Sequence, residues 1–190
     1  MQIADVKADL LALSADACVL KWFAEATPHI FEPDRAAYHK FKSDIATSLG
    51  VSHFSVILVG SAATGANTRL QAFNNNSDID IAIISTLHFE IGWKWLRELG
   101  SSRYRLPGRA QHWVREHETR LVFWGAIAAD QLLPHMPFGT AWEEGLSRAL
   151  SRTKFSGREI SARIYRDAES LQSTLTHYVG TLKGNITGGP

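Results

Sequence analysis

Two aspartates, Asp78 and Asp80, stand one residue apart at the head of the run Asp78-Ile79-Asp80-Ile81-Ala82-Ile83-Ile84. On a strand, residues i and i+2 share a face, so a rise of about 3.3 Å per residue sets these carboxylates about 6.6 Å apart on one side. Carboxylates fixed in that way can share hard cations. In two-metal centres the ions lie roughly 3.5–4 Å apart, and phosphate oxygens of the substrate complete their shells. Ile79, Ile81 and Ile83 face the other way, into apolar packing. Upstream, Phe54 to Val59 is a short apolar run rich in β-branched residues, as expected of a strand buried on both faces, and Gly60-Ser61 ends it. A glycine followed by a hydroxyl residue at such an exit allows a tight turn and brings backbone N–H groups close to a ligand, phosphate above all.

Each half alone is common. Asp-x-Asp also occurs in metal-using glycosyltransferases, and Gly-Ser after a strand is often a plain turn. Together and in this order, Val59-Gly60-Ser61 and Asp78-Ile79-Asp80-Ile81 resemble the nucleotidyltransferase superfamily of DNA polymerase β, in particular its small stand-alone bacterial members. The resemblance covers Phe54 to Ile84. It implies an α/β (α+β) fold, a small mixed β-sheet flanked by several α-helices. It also implies two Mg²⁺ (or Mn²⁺) ions held by Asp78 and Asp80, and a nucleoside triphosphate, ATP first, gripped by Gly60 and Ser61. The activity implied is transfer of a nucleoside monophosphate to a hydroxyl on a protein, RNA or small-molecule acceptor. Some members work as one half of a toxin–antitoxin or defence pair, so a protein partner, or a regulatory module without turnover, is the alternative. Two departures stand out: the spacer from Ser61 to Asp78 is longer than the family's usual one, and no motif marks the third carboxylate.

Other residues are assigned from their surroundings. Arg69 is the only cation between Ser61 and Asp78 and could neutralise phosphate. Glu159 to Tyr165 alternates, with Ile160, Ala162 and Ile164 on one face and Glu159, Ser161, Arg163 and Tyr165 on the other, as in a strand with one polar face. Beside the Asp78 strand, that face would bring Glu159 to the metals as the third acid, Arg163 to phosphate and Tyr165 to a base; an edge strand turned to solvent is the other placement. Asp130, Asp167 and Glu116, at helix ends or on a presumed helix, are further acids to consider. His112 and His117 are five apart with no Cys/His cluster nearby, so no zinc site is expected.

The elements that must position these groups follow from periodicity. Ile3, Val6, Leu10, Leu13, Ala17, Leu20 and Ala24 suggest one amphipathic helix closed by Pro28. Pro33 opens a second, carrying Tyr38, Phe41, Ile45 and Leu49 and ending at Gly50. Ala62 to Gly65 starts a short helix. Ser85 or Thr86 caps a helix through Leu99, Gln111 to Ala129 forms another, with a strand at Leu121 to Ile127 as the competing reading, and Phe138-Gly139 turns into a helix with Trp142, Leu146 and Leu150. The last helix carries Ala168, Leu171, Leu175, Tyr178 and Leu182. One domain over 1–184 is expected, with 185–190 a disordered tail.

The composition, 45% apolar and 10% aromatic over 190 residues, is that of an ordinary globular chain. A net charge of +1 argues against a processive polymerase, although thirteen arginines outnumber seven lysines and six of them lie between Arg97 and Arg120 beside Tyr104, His112 and Trp113. One cysteine, Cys18, excludes an internal disulfide and fits a reducing compartment. With no basic-then-apolar leader in MQIADVKADL and no long apolar run, the expectation is a soluble, cytoplasmic protein without membrane contact.

Overall fold

The computed structural model describes residues 2–188. Its centre is a four-stranded mixed sheet built from β1 (Val56–Val59), β2 (Ile79–Ile84), β3 (Ala126–Ile127) and β4 (Ile160–Tyr165), in the order β1-β2-β4-β3. β2 runs antiparallel to β1 and parallel to β4, and β3 pairs antiparallel with the far side of β4. The polar-faced strand is therefore an interior one beside the aspartates, and the solvent-facing placement is excluded.

Alternation along the strands sorts two cores onto the two faces. Val56, Leu58, Ile79, Ile81, Ile83, Ala162 and Ile164 pack against α3 (Arg35–Leu49), α5 (Thr86–Leu99) and α7 (Gly139–Ser151). On the opposite face, Ile57, Val59, Ala82, Ile84 and Tyr165 meet α1 (Ile3–Ala12), α2 (Ala15–Val19) and α8 (Ala168–Thr187). The side chain of Asp80 belongs to this second face, by register with Val59 and Ser161.

Several boundaries differ from the periodicity. The first helix is broken at Leu13, whose extended backbone lets Ser14 cap the next helix through Ala17 N; α2 then runs into a π-helical turn, Leu20–Glu25. Asp9 fastens the two pieces, accepting hydrogen bonds from Lys21 Nζ and Trp22 Nε1. The second helix is capped by Asp34 and starts at Arg35, after Pro33; it ends at Gly50 in the left-handed conformation. Phe54 lies in a 3₁₀ turn, 78% exposed, so the strand begins two residues later, at Val56. The short helix expected from Ala62 is α4 (Gly60–Thr64), which starts two residues earlier and ends at Gly65 in the left-handed conformation. The closing helix continues through Thr187, taking in the first residues expected to be a disordered tail; 189 and 190 lie outside the described residues.

The largest revision concerns residues 108–129. α6 (Gly108–Glu116) passes into a π-helical turn, His117–Leu121, and the chain then reverses at Gly125 to form β3, so the competing strand survives only in its last two residues. His117, 1% exposed, holds this break together: Nδ1–H donates to the Trp113 carbonyl and Nε2 accepts from Ala128 N–H at 3.0 Å. Burial lowers the pKa of this imidazole, and likewise that of His88, packed on Phe138 and Trp142. The unfolded chain therefore binds protons that the folded one refuses, so this stabilisation is full above the ordinary histidine pKa of about 6.5 and is lost as pH falls below it. Thermal unfolding should show a melting temperature that drops between about pH 7 and pH 5, with a shallower drop in a His88→Asn, His117→Asn variant.

Candidate active site

The site lies where β1 leaves the sheet and β2 enters it. Val59 pairs with Asp80, so the residue after Val59 lies against the aspartate. That residue is Gly60, at φ +62°, and a Cβ placed on it would come 2.6 Å from Asp80 Oδ2. Glycine is thus required twice, for a left-handed backbone and for space. The other carboxylate oxygen, Oδ1, accepts a 2.7 Å hydrogen bond from Ser161 Oγ on β4. Asp80 is half-buried and held from both neighbouring strands, whereas Asp78, just before β2, is exposed.

Gly60→Ala tests this contact against Gly50→Ala, which shares a left-handed backbone, at φ +65°, but has nothing within 4 Å of its Cβ. Both should lose about 1–2 kcal/mol to backbone strain. Gly60→Ala should lose more, in the urea unfolding midpoint, because its methyl must also displace the Asp80 carboxylate.

Around this pair the structure assembles some of the expected residues and rejects others. Ser61 is half-buried in the first turn of α4. Thr64, fully buried, closes that turn by donating to the carbonyls of Gly60 and Ala66. The longer spacer is an irregular loop with no further helix, pinned by Arg158: its guanidinium donates to the carbonyls of Asn74 and Ser77 and to Asn75 Oδ1, and stacks on Phe73. Glu159, next in sequence, is exposed at the mouth of the sheet; its carbonyl accepts from Ile79 N, and it precedes β4 instead of opening it. Arg163 lies on the same face as Asp80, half-buried, beside Ala82. Arg69 is exposed on the loop, and no hydrogen bond or ion pair ties its side chain to the other site residues.

Tyr165 is a correction. It is 4% exposed and packed in the core against α8, with Arg163 and Thr174 at its hydroxyl, so it cannot stack on a nucleotide base. Burial raises its pKa. The alternation of 159–165 put it on the polar face correctly, but that face is open only at the Asp80 end; beyond Arg163 the terminal helices cover it.

Two contributors carry no assignment from the sequence, and a third, Asp130, is one of the three acids it leaves open. Ser161 was visible as a member of the polar face but carried no assigned role. Tyr178 of α8 has a buried hydroxyl beside Thr64 and within the field of Asp80, with no other partner among the described residues. Asp130, in the turn after β3, has its pKa raised by burial; Arg163 opposes that rise and Asp80 adds to it. Asp130, Glu159 and Ser161 line one cleft of about 380 Å³, together with Arg109, Gln131 and Glu143.

Among the described residues no group of three or more His, Cys, Asp or Glu side chains gathers as a metal site. The donor set at the sheet mouth is instead two carboxylates, Asp80 with Oδ2 turned to the glycine gap and Asp78 free at the surface. Hard oxygen donors in that number suit a divalent cation that takes the rest of its shell from water and substrate phosphate.

No family model, curated protein or solved structure matches this chain. Among the described residues no helix is long and apolar enough to cross a membrane.

Proposed function

We propose that the chain is a cytoplasmic, metal-dependent nucleotidyltransferase that moves a nucleoside monophosphate from a nucleoside triphosphate, ATP first, to a hydroxyl on a protein, RNA or small-molecule acceptor. The observation that carries this reading is the pairing of Asp80 with Gly60. A carboxylate fixed by Ser161 from one strand lies against a glycine turn that follows the other, which puts a cation ligand beside backbone able to approach phosphate. Asp78 and Asp80 would hold Mg²⁺ or Mn²⁺, two ions in the fully loaded site, and such ions neutralise charge on the transferred phosphate and activate the attacking hydroxyl.

The protein's own groups would act around that centre. Gly60 and Ser61 orient the triphosphate through the turn, and Ser161 keeps Asp80 in one rotamer. The acceptor oxygen forms its bond to the α-phosphorus as the bond from that phosphorus to the bridging oxygen breaks, and pyrophosphate leaves. The acceptor's proton passes to a carboxylate. Glu159 and Asp130 both line the adjoining cleft, and Asp130, whose burial strengthens its hold on a proton, is the better acceptor.

Incubation with each α-labelled nucleoside triphosphate, Mg²⁺ or Mn²⁺, and host RNA, protein and metabolite fractions should yield pyrophosphate and one labelled fraction, which names the acceptor class. That no third acid gathers with Asp78 and Asp80 among the described residues favours a second reading, a nucleotide-binding regulatory module such as one partner of a toxin–antitoxin pair. Metal-dependent nucleotide binding without pyrophosphate release would select it.

A further inference from the structure

The stretch from Arg97 to Arg120 holds six arginines and three glutamates, in a chain whose formal charge is only +1. The positive charge of the molecule is therefore concentrated here, and the remainder is slightly acidic. All three glutamates are already engaged, Glu98 by Lys94, Glu118 by Arg103 and Glu116 by Arg120. Arg105 and Arg115 are exposed, and neither guanidinium makes a hydrogen bond or ion pair among the described residues. Arg109 meets only the neutral Gln131, at 3.0 Å. Arg109, His112 and Arg115 recur at every third residue, so they lie along the outer face of α6.

Exposed aromatic rings flank α6 along the chain on both sides. Phe123 is 83% exposed, Trp124 54% and Tyr104 72%, and none of them joins either core. Phe123 and Trp124 stand edge to face, their centroids 5.7 Å apart, just beyond the π-helical turn that continues α6. Guanidiniums alone would suit any anionic partner. Exposed rings beside them select one whose bases are free to stack, since base–aromatic stacking needs an unpaired strand.

We propose that this face docks single-stranded nucleic acid and leads its end to the cleft beside Asp80. Arg109 belongs both to the face and to the cleft, which it shares with Glu159 and Ser161. The cleft also contains Asp130 and Glu143, whose negative charge turns phosphates away and admits an uncharged terminal hydroxyl more readily. Docking stands on the surface alone; its service as acceptor delivery rests on the nucleotidyltransferase reading.

The test uses the full chain without nucleotide or metal, and the fluorescence anisotropy of a labelled single-stranded RNA of about 20 nucleotides. Binding should weaken with salt, and an Arg105→Glu, Arg115→Glu variant should bind about tenfold more weakly with a shallower salt slope. A Phe123→Ala, Trp124→Ala variant should lose about tenfold with its salt slope unchanged. Unlabelled single-stranded DNA should compete well, and duplex RNA and poly-glutamate poorly. Absence of binding by the intact chain, or equal binding by both variants, would overturn the proposal. Equal competition by poly-glutamate would also overturn it and assign the face to an acidic protein. Because no triphosphate is present, a failed transfer assay leaves this result standing, and transfer to a small molecule by a chain that binds no RNA would sink the docking surface alone.

Discussion

Asp80→Asn should lower nucleotidyl transfer by roughly a thousandfold or more while leaving the fold intact, as read by pyrophosphate release and by an unchanged unfolding midpoint. The asparagine keeps the shape of the side chain, and its amide oxygen can still accept the 2.7 Å hydrogen bond from Ser161. What disappears is the negative charge facing the Gly60 gap. If the several kcal/mol that a cation supplies at a transferred phosphate depend on that charge, the loss follows at about tenfold per 1.4 kcal/mol. Asp78→Ala should be as inactive for the same reason, and its exposed position makes a folding defect unlooked for. Ser161→Ala should be milder, about tenfold, because it loosens Asp80 without removing it. Full activity in Asp80→Asn would end the assignment of this strand mouth as a metal-dependent centre.

The largest effect on stability should come from a single methyl group at Gly139. This buried glycine opens α7, and a Cβ on it would lie 1.5 Å from the carbonyl oxygen of Leu133 and 2.5 Å from its carbon. Backbone cannot step aside as a side-chain tip can. Gly139→Ala must therefore push apart α7 and the 3₁₀ turn Leu133–His135, which carry the buried Trp142, Leu133 and Met136. Overpacking of this kind costs about 3 kcal/mol, which lowers the melting temperature of a chain this long by about 10 °C. Gly180→Ala, in the exposed middle of α8 with nothing within 4 Å of its Cβ, should instead gain up to about 1 kcal/mol from helix propensity. Equal melting temperatures for the two variants would contradict this packing.

The mixed sheet, its flanking helices and the place of Asp80 near the start of a strand were legible because period-two and period-3.6 patterns report directly on which side of an element is buried, whereas Asp78, read as part of that strand, lies just outside it. The polar face of 159–165 was legible for the same reason. Where that face is covered was not, because the cover comes from α8 and the N-terminal helices, which meet the sheet through long-range packing that no local pattern encodes. Tyr165 was misassigned on that account. The break of the 108–129 helix was hidden too: its cause is His117 reaching across to Ala128 N–H, a bond between residues whose helical spacing had looked continuous. Asp130 could be named as an acid but not chosen, since burial and the neighbouring Arg163 and Asp80, all tertiary facts, distinguish it from Glu116 and Asp167.

The order of strands in space is not their order in the chain. β2 lies between β1, which the ribosome has already made, and β4, whose Ser161 follows Asp80 by 81 residues. At about 5–20 residues per second, an emerging chain carries β2 for roughly 4–16 s before its second neighbour exists. During that interval an isoleucine-rich strand has one row of backbone donors and acceptors unclaimed, open to a neighbouring nascent chain. Over the same period Asp80 lacks its clamp, since the Ser161 hydroxyl that holds its carboxylate has not yet been made.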